Sequence, residues 1–126
     1  MRRYIFSIGL AACSGEPPCA APLDSCTPEY TATFSEIHSR TFRTGCALQG
    51  CHMGPNPAAS LDLDDPERAY QSLVGGGLVT AGDENCSVLV RRLEASSSGE
   101  LMPPGSALRE GVRCTIRRWI REGAAR

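Results

Sequence analysis

The chain has 126 residues, of which 14 are acidic and 13 basic, and it contains no lysine. That length allows one domain rather than two, and 41% hydrophobic residues with few aromatic ones allow only a modest core. The formal net charge of −1, without a basic patch interleaved with aromatic residues, argues against nucleic-acid binding.

The N-terminus has the pattern of an export signal. Arg2 and Arg3 precede a short apolar run, 4–12, that is far too short to span a bilayer permanently. Leu10-Ala-Ala-Cys13 resembles the lipobox of bacterial lipoproteins, in which the cysteine becomes the lipidated first residue. We therefore expect a signal peptide over 1–12, a lipid anchor at Cys13, and a periplasmic location on a bacterial membrane. The alternatives are a plain signal peptide and a fraying N-terminus.

Proline-rich residues 13–28 are expected to form a tether, followed by a single domain over 29–126. Export would place the chain in an oxidising compartment, where an even number of cysteines suggests that all are bonded. Apart from Cys13 there are six, namely Cys19, Cys26, Cys46, Cys51, Cys86 and Cys114. Cys19 and Cys26 could close a small loop within the tether.

The first helix is expected over 29–44, with Thr27 as its N-cap and Pro28 at its first position. Gly45 should end it, so that Cys46 follows the helix directly. Its apolar side chains fall near one face. His38 lies off that face and is expected at the surface.

Three more short helices follow, and no convincing strand is found. Asp64 or Asp65 can cap a helix that starts at Pro66 and runs to about residue 74. Another is expected over 86–94, and the last over about 106–122, where apolar residues form one stripe. The pattern predicts an all-α fold of about four short helices with long loops.

Cys114 lies off the apolar stripe of the last helix, on a side rich in arginine. An exposed free thiol is unfavourable outside the cytosol, so a disulfide is expected, with Cys86 as the favoured partner. Four cysteines allow three pairings, and sequence alone does not decide between them. The arginines after residue 106 could attract an acidic redox partner, or they could simply form a solvated helix face.

Cys46-Ala-Leu-Gln-Gly-Cys51-His52 has the layout of a covalent haem site. Two thiols can bond to the porphyrin, and the histidine next to the second can ligate the iron. The usual spacing has two residues between the cysteines, whereas this chain has four. Gly50 would let the extra residues bulge. The alternatives are a Cys46–Cys51 disulfide with an incidental histidine, and a zinc site that recruits a further cysteine.

Met102 is the best candidate for a second iron ligand. It lies fifty residues after His52, in a Met-Pro-Pro-Gly loop that would restrict its motion. A thioether ligand raises the reduction potential relative to a second histidine. Met53 is adjacent to His52 and cannot easily reach the opposite face of a porphyrin.

These residues resemble the small class I c-type cytochromes, and more closely the bacterial domains found in secreted or lipid-anchored proteins. The resemblance spans about residues 30–125. It rests on Phe34, Cys46 with Cys51-His52-Met53-Gly54, Leu61-Asp-Leu63, Val79 to Asp83, Ser87-Val-Leu89, Met102-Pro-Pro104, and Ile116 to Ala124. The four-residue gap departs from the family's common pattern.

The resemblance implies one haem c per chain, with thioethers at Cys46 and Cys51, His52 as proximal ligand and Met102 as distal ligand. It also implies that the first and last helices cross near Phe34 and Trp119. Such a protein would carry electrons between redox proteins rather than act as an enzyme, and peroxidase activity would require Met102 to leave the iron.

A haem-free module of the same fold is the rival interpretation. It would be a structural or interaction domain held by disulfides such as Cys46–Cys51, Cys86–Cys114 and Cys19–Cys26, each worth about 2–4 kcal/mol. Free-thiol counting and intact mass would separate the two, because thioethers resist reduction and add the mass of haem.

Overall fold

A computed structural model describes residues 17–97 and 99–126. The expected signal peptide over 1–12 and the lipidation site at Cys13 lie outside these residues. Four α-helices form the framework: α1 (Phe34–Ile37), α2 (Pro66–Tyr70), α3 (Val88–Leu93) and α4 (Glu110–Arg121). No strand occurs in the described part of the chain, so the fold is all-α as expected. None of its helices is long and apolar enough to cross a membrane.

Helix α1 begins later than predicted and continues as a π-helix over His38–Cys46. Thr33, not Thr27, is the N-cap, because its side chain accepts a hydrogen bond from the Glu36 backbone at 3.3 Å. The preceding residues are held against α4 instead, where the Glu29 N–H donates to the hydroxyl of Thr115 at 3.0 Å. Gly45 does not end the helix, so Cys46 belongs to its last turn.

Helix α2 confirms the predicted cap. The Asp65 side chain accepts from the Arg68 N–H at 2.9 Å, and Pro66 occupies the first helical position. A short π-helix, Gln71–Gly75, extends it. The last two helices are shorter than predicted, since Ser87 and Arg109 at their N-caps have extended backbone angles.

The core forms where α1 and α4 cross. The rings of Phe34 and Trp119 have centroids 5.6 Å apart, and Tyr70 meets Phe34 edge-on at 5.1 Å. The Trp119 indole N–H donates to the Ala125 carbonyl at 2.7 Å, which satisfies its polar atom. The helix crossing expected near Phe34 and Trp119 is confirmed.

Residues 17–28, called the strap below, are fastened by two disulfides, one to the turn before α3 and one to α4. Cys19 bonds to Cys86, and Cys26 bonds to Cys114. Both the favoured Cys86–Cys114 pairing and the small Cys19–Cys26 loop are therefore wrong. The bonds span 67 and 88 residues, and periodicity along a helix contains no information on such distant partners. Cys114 is fully buried beneath the strap.

The strap also covers Arg117, which is only 1% exposed. Its guanidinium donates to the Ala21 carbonyl at 2.8 Å and to the Asn85 side chain at 2.5 Å. Glu84 and Glu94 lie 3.6 and 3.7 Å from it, so the buried charge has opposite charges nearby. The part of α4 that contains Cys114 and Arg117 is thus covered by the strap, which explains why the cysteine there is protected.

Candidate functional site

The residues between Cys46 and Cys51 fold into a compact pair of turns. The Leu48 N–H donates to the Cys46 carbonyl at 2.9 Å, and the Cys51 N–H donates to the Leu48 carbonyl at 2.9 Å. Gly50 takes a positive φ of 78°, a conformation that glycine adopts readily. The His52 N–H then reaches back to the Cys46 carbonyl at 3.2 Å. The two additional residues are therefore absorbed locally, and His52 stays next to Cys46.

Cys46 and Cys51 are free thiols, whereas the other four cysteines of the described chain are in disulfides. Cys51 is exposed and Cys46 half-buried. Burial, with a smaller contribution from the neighbouring Cys51, raises the pKa of Cys46 to about 11. The environment of Cys46 thus favours an uncharged sulfur, which a thioether also is. The expected Cys46–Cys51 disulfide of the haem-free alternative is not formed.

The ring of His52 is oriented by the residues that follow it. Its Nδ1 lies 3.1 Å from the Ala58 carbonyl and 3.2 Å from the Leu61 carbonyl. A carbonyl oxygen can only accept, so Nδ1 carries the proton and Nε2 has a free lone pair. Metal-binding histidines usually donate their second nitrogen in this way, which fixes the tautomer and the ring orientation.

The residues that hold His52 belong to 58–63, called the 58–63 segment below. Besides binding the ring, this segment pairs with the backbone around the thiols. The Ala58 N–H donates to the Cys51 carbonyl at 2.7 Å, and the Leu63 N–H donates to the His52 carbonyl at 2.8 Å. The sequence analysis quoted Leu61 and Leu63 for a resemblance but assigned them no role. The contacts use backbone carbonyls, which leave no signature in side-chain identity.

The sequence analysis expected His38 at the surface, but its side chain is buried and only 5% exposed. Its Nε2 donates to the Leu63 carbonyl at 2.9 Å, and its ring lies 5.9 Å from that of Phe34. The prediction was wrong because His38 lies four residues after Phe34, and residues four apart share one face of a helix.

Met102 lies on the loop after α3. Its N–H donates to the Arg92 carbonyl at 3.0 Å, and its side chain is half-buried. Met53, by contrast, packs against the hydrophobic core. The choice of Met102 over Met53 as an iron ligand stays a prediction.

The zinc alternative finds no support within residues 17–97 and 99–126. No group of three or more histidine, cysteine, aspartate or glutamate side chains there is arranged to hold a metal ion. Cys19, Cys26, Cys86 and Cys114, which could have supplied another thiolate, are all committed to disulfides.

A sequence model of a family described as Planctomycete cytochrome C matches residues 49–106, a little under half of the chain. The matched range contains Cys51, His52 and Met102 but not Cys46. No curated protein and no solved structure shows significant similarity to the chain. The match supports a cytochrome c-like domain, and with it haem-based electron transfer as the general activity.

Proposed function

We propose that the protein is an electron carrier with a single haem c attached through Cys46 and Cys51. His52 would ligate the iron through Nε2, and Met102 would be the second ligand. The observation that carries this proposal is the state of His52. Its Nδ1 proton is engaged by two backbone carbonyls, so the other nitrogen is free to bind a metal beside two unpaired thiols.

The residues present fit such a group. A bound haem would supply reversible one-electron exchange. The two sulfurs would hold it to the end of the π-helix and to the adjacent turn, and the 58–63 segment would keep the His52 ring in one orientation. Because no nucleophile or general base is required for this activity, the proposal is a carrier rather than an enzyme.

An exported, lipid-anchored location on the periplasmic side is part of the proposal. The Cys19–Cys86 and Cys26–Cys114 bonds agree with an oxidising compartment. Cytochrome c domains of the matched kind are usually exported. The anchor itself would be formed at Cys13, through the sulfur that the lipobox pattern indicates.

The partners would be other redox proteins. Attraction of an acidic partner by a basic C-terminal face has less support, because most arginines of that face are paired with acidic side chains. The pairs are Arg109–Glu29, Arg113–Glu94, Arg117–Glu84, Arg121–Glu84 and Arg126–Glu67. Such pairs cancel much of the positive potential that the sequence alone indicates.

The test is expression of the whole chain in a bacterial host with haem-attachment machinery. We expect a c-type absorption spectrum, an intact mass increased by one haem, and colour that persists after acid-acetone extraction. The matched control is C46A/C51A, which leaves both disulfides intact and should yield colourless protein. A wild-type product without haem, or with haem that acid-acetone removes, would contradict the proposal.

The haem-free disulfide module is the alternative outcome of the same preparation. It would be identified by a colourless folded protein in which Cys46 and Cys51 are oxidised to each other. The two disulfides already present show that haem is not needed to link the strap to the helices. Thiol counting before and after reduction separates this form from a thioether-bound one.

A further inference from the structure

We propose that His38 is a positioning residue that controls the orientation and donor strength of His52. This inference rests on the proposed function, since it assigns to His38 an effect on the iron that His52 would bind. His38 does not contact His52 directly. It acts through the 58–63 segment, which lies between the two histidines.

Three hydrogen bonds and the π-helix together connect the two histidines. His38 Nε2 donates to the Leu63 carbonyl at 2.9 Å, and the Leu63 N–H donates to the His52 carbonyl at 2.8 Å. The His52 N–H returns to the Cys46 carbonyl at 3.2 Å. Cys46 and His38 are the two ends of one π-helix. Movement of the segment relative to that helix would therefore break at least one of these bonds.

His38 fixes the end of the segment that has the least exposure. Leu63 is buried, and so is His38, whereas Ala58, Ala59 and Ser60 at the other end are exposed. The carbonyls that accept from His52 belong to Ala58, within the exposed turn, and to Leu61, which directly follows it. Without His38, the segment would keep two backbone bonds to the residues around the thiols, from the Ala58 N–H to the Cys51 carbonyl and from the Leu63 N–H to the His52 carbonyl, and would lose its side-chain bond to the π-helix.

The segment contains backbone strain that requires such anchoring. Ala59 and Ser60 are successive non-glycine residues with positive φ, 54° and 57°. Non-glycine residues rarely adopt this backbone conformation, and it persists only where the surroundings hold it. The turn that presents the Ala58 carbonyl to His52 is therefore not a conformation that this stretch would adopt by itself.

The chemical consequence concerns His52 Nδ1. A hydrogen bond from this proton makes the imidazole a stronger electron donor, and a stronger donor favours the oxidised iron. If the 58–63 segment moves away from His52, the hydrogen bonds from Nδ1 to the Ala58 and Leu61 carbonyls lengthen, and the imidazole becomes a weaker electron donor to the iron. Loss of the hydrogen bond from His38 should thus shift the redox equilibrium of the iron toward the reduced form. It should also expose the Nδ1 proton of His52 to exchange with solvent.

The experiment compares H38F, H38Q and wild type as haem-loaded full chains. Phenylalanine fills the ring volume without a donor, whereas the glutamine amide can donate from about the position of Nε2. We expect H38F to raise the ratio of ferrous to ferric protein about tenfold, which equals about 59 mV for a one-electron couple. A tenfold change is the lower end of the effects of replacing the hydrogen-bond partners of metal ligands. The Nδ1 proton of His52, followed by NMR in the ferrous protein, should exchange about tenfold faster. H38Q should restore most of both properties.

A folded H38F with unchanged potential and unchanged Nδ1 exchange would overturn the proposal, and so would an H38Q that behaves like H38F. If H38F does not accumulate, H38M replaces it, because methionine adapts to irregular space without donating a hydrogen bond. If the wild type carries no haem, the proposed function fails first. The Nδ1 exchange rates of the haem-free proteins then still decide whether His38 positions His52.

Discussion

Phe34 of α1 and Trp119 of α4 pack with ring centroids 5.6 Å apart and planes inclined by 36°. The contact joins residues 85 positions apart in the sequence and closes the domain around its first and last helices. Both side chains are less than 5% exposed. The pair thus forms the main link between the helix that leads into the candidate site and the C-terminal helix.

Replacement of Trp119 by alanine should lower the free energy of unfolding by about 3–5 kcal/mol, because a large buried ring is lost and a cavity remains. Arg118 is its exposed neighbour on the same helix, so R118A is the control and should change stability by no more than about 0.5 kcal/mol. Denaturant unfolding measures both. Equal stabilities for the two variants would show that the aromatic contact does not hold the helices together.

Removal of the disulfide between the strap and α4 should also destabilise the fold. The bond between Cys26 and Cys114 joins residues 88 apart, so it removes much of the freedom of the unfolded chain. For C26A/C114A we expect a loss of about 2–5 kcal/mol in thermal or denaturant unfolding. The C19A/C86A pair serves as comparison. A loss below about 1 kcal/mol for C26A/C114A would mean that the strap contributes little.

The two free thiols should differ in reactivity in haem-free protein. At pH 8 the thiolate fraction of a thiol with a pKa of about 11 is about a hundredfold smaller than that of a thiol with the ordinary pKa of 9.0. Cys51 is exposed and should be alkylated first, whereas labelling of Cys46 should rise about tenfold per pH unit up to about pH 11. Timed iodoacetamide labelling with peptide mass mapping measures this.

In that labelling experiment, C51A is the control. This substitution removes the effect of Cys51, which is the smaller cause of the raised pKa of Cys46, but leaves Cys46 buried. Cys46 should therefore still react slowly with iodoacetamide at pH 8. Denaturation should abolish the protection. If native Cys46 reacts as fast as Cys51 at pH 8, the thiol is not shielded in the way the structure indicates.

Met102 should determine the second ligand position. In haem-loaded M102A, the reduction potential should fall and added imidazole or cyanide should bind faster, because the thioether no longer occupies the iron. M53A is the matched control, since Met53 packs against the core and should affect stability rather than ligand binding. Unchanged ligand-binding rates in M102A would assign the second position to another group.

The elements that could be predicted from sequence are those with local causes. The Asp65 cap with Pro66 needs only four adjacent residues, and the α4 stripe that buries Ile116 and Trp119 follows from its period. The Cys46–Cys51-His52 cluster was recognisable from the order of three residue types. In each case the physical reason lies within a few turns of chain.

The features that could not be predicted depend on long-range pairing or on backbone atoms. Cys19 selects Cys86 through folding of the whole chain, and His38 is buried where it donates to the carbonyl of Leu63, 25 residues away. The acceptors of the His52 proton are the carbonyls of Ala58 and Leu61, which any residue could supply. Sequence therefore indicated which residue would ligate but not what orients it.

The position of the strap limits how far the domain could stand from a bilayer. Hydrogen bonding to Arg91 holds the Pro17 carbonyl at 2.6 Å, so the ordered body begins no later than that residue. If Cys13 carries the lipid, three residues lie between it and Pro17, so the Cα atoms of Cys13 and Pro17 can be at most about 14 Å apart. The domain would then stay close to the headgroup surface, and electron exchange would take place there.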